Sequence, residues 1–302
     1  RPYREFFAAH KDDLYRGTQE LSEIAVLRDD NSLTLRWHET YCVMELAQQM
    51  LMVAGLPWMP LWGQQLFDGT LQKYRLLVVP GTGCMSREEV AKISDFVEAG
   101  GSAVILENAG CYSEHHQTIS EWRFAQLFEG AASCEGFAMR YLARGAQPGF
   151  DNREKPLFAE FGKGRVAYLP QIRASREPVR TYEEIGAYDG FRHLQLPEGW
   201  RALPDAVEKL LGEPPAARVK GPGTLMAEFL RKDGRLLVHL VNYARETVPA
   251  GAEVLVAGGS GQAVLHLPGD KSQKDLKAKD LAGGARKFTL PAFDRYALLV
   301  AE

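Results

Sequence analysis

The chain has 302 residues, 45% hydrophobic and 25% charged, with a net charge of −3. That is an ordinary balance for a globular protein and is long enough for two domains. It leaves no basic footprint for nucleic acid, and no apolar run approaches the ~20 residues that cross a bilayer, so a soluble chain with neither a nucleic-acid nor a membrane partner is expected.

The opening Arg1-Pro-Tyr-Arg-Glu-Phe-Phe-Ala-Ala-His10 has no initiator Met and no charged-then-apolar secretion signal. It starts in helical register, so a fragment or processed chain of something longer is expected, with its compartment left open. Residues 2–15 have helical spacing, with Tyr3, Phe6, Phe7 and Leu14 on one face. Glu23-Ile-Ala-Val-Leu27 reads as the first strand, ending at the turn-forming Asp29-Asp-Asn-Ser32. His38 to Val53 is a long helix with Val43, Leu46, Ala47, Met50 and Leu51 on one side, and Pro57 to Trp62 suits a short second strand.

The clearest passage follows. Leu76 to Val79 is an unbroken apolar run, as in a strand covered on both faces. Ser86 can cap a helix in which Val90, Ile93 and Val97 recur at helical spacing. Gly100 and Gly101 stop it, and the run Ala103 to Leu106 follows at once. This is a βαβ unit of an open parallel sheet. Thr118 to Phe128 reads as another amphipathic helix with Ile119, Trp122, Leu127 and Phe128 inward. Phe137 to Leu142 is strand-like, and 157–161 and 165–169 flank the hairpin signal Gly162-Lys163-Gly164. Residues 171–200 are an irregular excursion. Pro204 to Leu211 is a short helix with Pro204 near its first position. Gly212-Glu-Pro-Pro215 is the best domain boundary. Beyond it, hairpins such as the one at Lys232-Asp-Gly234 predict an all-β sandwich.

The four cysteines are Cys42, Cys84, Cys111 and Cys134. None is in a C-x-x-C pair, so no zinc cage and no cofactor is expected, and their spacing fits reduced, mostly buried thiols. A Cys111–Cys134 disulfide stays open for a secreted parent. Cys111, in Asn108-Ala-Gly-Cys-Tyr-Ser113, is the sharpest chemical candidate, because a thiol near a helix N-terminus can hold its thiolate. Glu114, His115 and His116 could supply a base. The glycines of a nucleophile elbow are missing, however, since Ala109 and Ser113 stand at their places, so an inert thiol is the plainer reading. Gly81-Thr-Gly-Cys84 could form an anion nest, but a tight turn explains it. Glu107 stands at a strand end where a general acid or base belongs, without a second carboxylate placed beside it. Tyr182, Tyr188 and Trp200 in the excursion could stack on a sugar, or simply anchor a long loop.

Phe96-Val-Glu-Ala-Gly-Gly-Ser-Ala-Val104 and Phe161-Gly-Lys-Gly-Arg-Val-Ala-Tyr168, with Leu77-Val-Val-Pro80 and the first strand, resemble the trimerisation domain of family 42 β-galactosidases, a glutamine-amidotransferase-like module. Asp233 to Tyr243 resembles the small β-domain that closes many such hydrolases. The resemblance implies a flavodoxin-like doubly wound parallel sheet followed by a β-sandwich. It divides the chain into a helical lead-in at 1–19 from a missing upstream domain, an amidotransferase-like domain at 20–212 and a sandwich at 217–302. It implies a catalytic barrel upstream, so no catalytic residue is carried onto this chain. It also implies a homo-oligomer, a trimer in that family, with Pro57–Trp62 and the outer side of the 38–54 helix as candidate contacts. A non-catalytic assembly and support module of a carbohydrate-active enzyme is therefore expected. A cysteine hydrolase or amidotransferase using Cys111 and a carbohydrate-binding module are the alternatives.

Overall fold

A computed structural model describes residues 2–13, 16–117, 119, 122–128, 156–170, 196, 199–213, 215–259, 261–270 and 272–301. The expected strand at 137–142 and most of the excursion, with Tyr182 and Tyr188, lie outside the described residues. The chain divides into two compact units. One is Arg1–Glu23 with Leu51–Pro57 and Pro214–Glu302, and the other is Ile24–Met50 with Trp58–Glu213.

The first of these contains helix α1 (Pro2–Ala9) and the two-residue strand β1 (Gln19–Glu20). The second is built on a sheet of six strands, β2 (Ile24–Arg28), β3 (Trp58–Trp62), β4 (Leu76–Pro80), β5 (Ser102–Leu106), β6 (Leu157–Phe161) and β7 (Gly164–Leu169). Their order is β3-β2-β4-β5-β7-β6. All neighbours run parallel except β6, which returns antiparallel on β7. The unit is thus α/β with a mixed sheet. Every residue of β4 and β5 is buried, which accounts for their unbroken apolar runs.

Among the described residues, four helices serve this sheet. They are α2 (Asp30–Leu35), α3 (Trp37–Val53), α4 (Arg87–Glu98) and α5 (Ala202–Leu211). On α3 the expected Val43, Leu46, Ala47, Met50 and Leu51 are all buried. The start of α4 is fixed by a capping box. The Glu89 N–H donates to Ser86 Oγ (3.1 Å), and the Ser86 N–H donates back to Glu89 Oε2 (2.6 Å). The β6–β7 hairpin packs its backbone onto the end of α4. A side-chain carbon at Gly164 would lie 2.1 Å from the carbonyl oxygens of Gly101 and Val97, so only glycine fits.

Three local expectations are corrected. Asp29-Asp-Asn-Ser32 is not a free turn but the start of α2, because Asp29 Oδ2 accepts the Ser32 N–H (2.7 Å) and caps the helix. Of the stretch 118–128, the described residues hold only a 3-10 turn, Ala125–Phe128, in place of a regular helix. Trp122, Leu127 and Phe128 still enter the core, and the Trp122 Nε1–H bonds the Ala109 carbonyl (2.8 Å). The helix expected over Pro204 to Leu211 begins two residues earlier, at Ala202, with Pro204 in its first turn.

Among the described residues, the other unit has nine further strands. They are β8 (Ala217–Lys220), β9 (Leu225–Lys232), β10 (Arg235–Asn242), β11 (Glu253–Ala257), β12 (Gln262–His266), β13 (Lys274–Lys277), β14 (Lys279–Asp280), β15 (Ala285–Thr289) and β16 (Tyr296–Ala301). They form two antiparallel sheets, β1-β9-β10-β16-β12-β13 and β14-β15-β11-β8. Phe229, Val238 and Leu240 of the larger sheet share one core with Val254 and Phe288 of the smaller. Asp233 and Gly234, both left-handed (φ 49° and 79°), join β9 to β10 in a two-residue hairpin.

The outer face of the larger sheet is met by α1, which is shorter than 2–15 and is followed by a 3-10 turn, Lys11–Asp13. Phe6 is buried there with Leu230, Leu237, Tyr296 and Leu298, while Tyr3 and Phe7 stay partly exposed. Burying one such ring stabilises by about 1.5–3 kcal/mol. The segment 51–57 belongs to this unit because the Val219 N–H bonds the Gly55 carbonyl (3.1 Å), and a side-chain carbon at Gly55 would collide with the Val219 oxygen at 1.8 Å.

Candidate functional site

In open α/β sheets, chemistry sits outside the carboxyl ends of the strands. Here β2, β3, β4 and β5 end at Arg28, Trp62, Pro80 and Leu106. The Gly81–Cys84 loop after β4 spends its groups inside the protein. The Gly81 N–H bonds the Leu106 carbonyl (3.3 Å), the Cys84 N–H bonds Ser32 Oγ (2.9 Å), and the Gly81 carbonyl accepts from Thr40 Oγ1 (3.2 Å). These bonds turn both N–H groups away from any bound anion.

Cys111 follows β5 and is 95% buried, its Sγ facing the Ala109 carbonyl at 4.0 Å. Burial pushes its thiol pKa far up, and the Arg36 charge offsets this only in part. The group is held as the thiol, not the nucleophilic thiolate. His115 is exposed. Glu114 is paired with Arg123 (3.3 Å), and His116 Nε2 lies 2.7 Å from Arg36 Nη1. Cys42, Cys84 and Cys111 are not joined to one another, and Cys134 lies outside the described residues.

Glu107 is the first residue past β5, half-buried and in the left-handed region (φ 51°), uncommon for a residue with a side chain. Its N–H bonds the Leu169 carbonyl (3.0 Å), and its own carbonyl accepts from Tyr168 Oη (2.9 Å). Cys42 is half-buried, and burial, with Glu107 and Glu45, pushes its thiol up to about 11. Trp200 is half-buried beside the Arg201 guanidinium, 5.2 Å from its ring.

Reading the sequence missed a second group at this edge. Arg28 and Trp62 occupy matched positions on β2 and β3, and the guanidinium carbon lies 4.7 Å from the indole centroid. Glu45 and Tyr41, on α3, lie within range of the charge of that guanidinium. Burial raises the Glu45 carboxyl and Arg28 pulls it back. Burial, then Glu45 and Cys42, raise the Tyr41 hydroxyl, and Arg28 opposes them. The sequence signal was the strand-end position of both residues, but their meeting depends on the pairing of β2 with β3.

Among the described residues no three His, Cys, Asp or Glu side chains gather as a metal site. A cavity of about 310 Å³ lies at the opposite, N-terminal ends of β4 and β5, lined by Tyr74, Arg75, Phe96, Ser102, Arg165 and Leu211. Arg75 Nη2 donates to the Leu211 carbonyl (3.0 Å) and Ser102 Oγ to that of Leu210 (3.4 Å), so these groups cap the end of α5.

The sequence matches no protein-family model, and no curated protein matches it. Solved structures do match. A β-galactosidase from Bacillus circulans sp. alkalophilus aligns with 99% of this chain and 45% of its own (TM-score 0.59, 13% identity). An α-L-fucosidase, isoenzyme 2 from Paenibacillus thiaminolyticus, aligns with 99% and 51% (TM-score 0.58, 14% identity). A cold-adapted β-galactosidase from Rahnella sp. R3 aligns with 95% and 42% (TM-score 0.58, 16% identity).

The likeness is one of fold. Both units of the chain have counterparts in glycoside hydrolases, and the chain spans about half or less of the length of each of these neighbours.

Proposed function

We propose that this chain is a non-catalytic assembly and support module of a carbohydrate-active enzyme, a glycoside hydrolase such as a β-galactosidase. The observation that carries the reading is the asymmetry of coverage. Nearly all of this chain aligns with glycoside hydrolases, while it accounts for 42–51% of the three described above. In this reading the mixed sheet is the amidotransferase-like, flavodoxin-type trimerisation domain, and the acid and nucleophile glutamates lie in a barrel outside the chain. The buried, protonated Cys111 and the exposed His115 favour a support role over a cysteine hydrolase.

The test is twofold. Incubated with nitrophenyl galactoside, fucoside and rhamnoside, the chain should give no turnover. Light scattering at tens of micromolar should show an oligomer, whose interface buries on the order of 1,200 Å² or more. Turnover that disappears in Cys111→Ser would replace this reading with the cysteine hydrolase.

A further inference from the structure

We propose that the cavity of about 310 Å³ at the N-terminal ends of β4 and β5 binds a small aromatic carboxylate. Sheet register builds its polar wall. Leu76 of β4 pairs with Ser102 of β5, and Ser102 pairs with Arg165 of β7, all in parallel. Arg75, the residue before β4, therefore stands in one row with Ser102 and Arg165, and all three line the cavity. Both guanidiniums are anchored. Arg75 Nη2 donates to the Leu211 carbonyl (3.0 Å), and Arg165 Nη1 donates to that of Lys209 (3.4 Å). A side-chain carbon at Gly212 would lie 2.7 Å from Arg165 Nη2, so the left-handed glycine there (φ 72°) leaves the guanidinium its place. A guanidinium has five N–H donors in a planar fork, so one carbonyl does not exhaust it.

The rest of the lining selects the ligand. Tyr74, Phe96, Leu210 and Leu211 supply an apolar and aromatic wall, and Phe96 is buried with its ring packed on Gly101. Among the described residues, no Asp or Glu lines the cavity. The two guanidiniums bring two positive charges. Against them stand the ends of α4, beside Ala99 to Gly101, and of α5, at Leu210 and Leu211. Each helix C-terminus carries about half a negative charge. The balance is about one positive charge, which suits a monoanion over a dianion such as a phosphate ester. The volume is near the low end of ligand pockets, which run about 300–1,000 Å³, and so limits the ligand to a small body. The planar fork matches a carboxylate, and the rings of Phe96 and Tyr74 match an aromatic partner.

The test titrates the 302-residue chain at neutral pH with benzoate, with benzamide as its neutral match and with phenyl phosphate as the dianion. Binding is read by calorimetry and by amide shifts in two-dimensional NMR. Benzoate should bind saturably in the millimolar range. It should bind about tenfold or more tighter than benzamide, the worth of a charge-assisted hydrogen bond. The amides of Gly101, Ser102 and Leu211 should shift, while those of Gly83 and Cys111 at the other end of the sheet should not. Arg165→Gln should weaken benzoate by about tenfold and leave benzamide unchanged. Phe96→Leu should weaken both, and Arg28→Ala should weaken neither. The same spectra establish that each variant is folded. No saturable benzoate binding to folded wild type at tens of millimolar overturns the proposal. So does equal affinity for benzamide, or undiminished benzoate binding in folded Arg165→Gln. Tighter binding of phenyl phosphate also overturns it and assigns the cavity to phosphate. Should Arg165→Gln fail to fold, the benzoate-to-benzamide ratio and Phe96→Leu still decide. The support reading is judged separately, by turnover and assembly.

Discussion

The carboxylate of Asp29 faces that of Glu89 across Gly63. A side-chain carbon at Gly63 would lie 3.5 Å from Asp29 Oδ1 and 3.9 Å from Glu89 Oε1. Each acid spends its other oxygen on a helix, Asp29 on the Ser32 N–H of α2 and Glu89 on the Ser86 N–H at the start of α4. Burial raises both carboxyls above their ordinary values, the capping bonds pull them back, and the charge of Asp29 adds to the rise at Glu89.

The sign of the pH dependence follows. A carboxyl raised in the folded state contributes stability below its unfolded pKa and loses it as pH rises through the folded value. Between their raised folded values and about pH 4, these two acids therefore favour folding more as pH falls. Glu89→Gln keeps the capping box and removes one charge of the pair. Its melting temperature should exceed that of wild type near pH 7, with the gap closing by pH 4. A gap that does not change with pH would show that the two carboxylates do not interact.

Cys111 should behave as an inert thiol. In folded protein at pH 8, alkylation should be far slower than that of a free thiol and should rise only on unfolding, since burial keeps the group protonated. Cys111→Ser should cost roughly 1 kcal/mol by placing a hydroxyl among apolar neighbours. A thiolate reacting near pH 6 and lost in that variant would restore the nucleophile reading.

Gly164→Ala should be among the costlier single-carbon changes in the α/β unit. The added methyl meets two backbone oxygens at 2.1 Å, so the β6–β7 hairpin and the end of α4 must part. Overpacking of this kind costs about 1–3 kcal/mol. Gly261→Ala is the matched control, since it meets nothing within 4 Å. Urea unfolding of both variants checks the pair, and equal costs would refute the close approach.

Ser86→Ala should destabilise by about 1 kcal/mol, the usual value of an N-cap. It should leave the sandwich unchanged, so residue-resolved hydrogen exchange should report the loss in α4 and not in β9 or β10. Uniform loss across both units would mean that they unfold as one.

The parts of this fold that were legible are those in which local signals agree. β4, α4 and β5 could be read because a fully buried strand leaves an unbroken apolar run and Ser86 and Glu89 mark the helix start. The Asp29 segment was misread because the residues that make turns also cap helices, and α2 is too short to show a period. At the candidate site, Cys111 and Glu107 could be placed on strand-end loops, but the burial of the thiol could not. Arg28 and Trp62 were invisible as a pair because parallel register comes from sheet assembly, not from spacing. Gly55 belongs with Val219 for the same kind of reason, a close backbone approach between distant segments.

The chain passes between its two units four times, after residues 23, 50, 57 and 213. A cut at Pro214-Pro215, the natural place to separate modules, would thus not release a finished sandwich. The C-terminal piece would lack the β1 partner of Arg231 and Leu230, the Gly55 carbonyl that anchors β8, and the Phe6 cover over Leu237 and Leu298. It would expose an unpaired strand edge beside an uncovered apolar face, a combination that invites aggregation. For modular engineering, such as grafting the sandwich or swapping the α/β unit, the transferable piece is the three-segment composite and not a contiguous stretch of sequence.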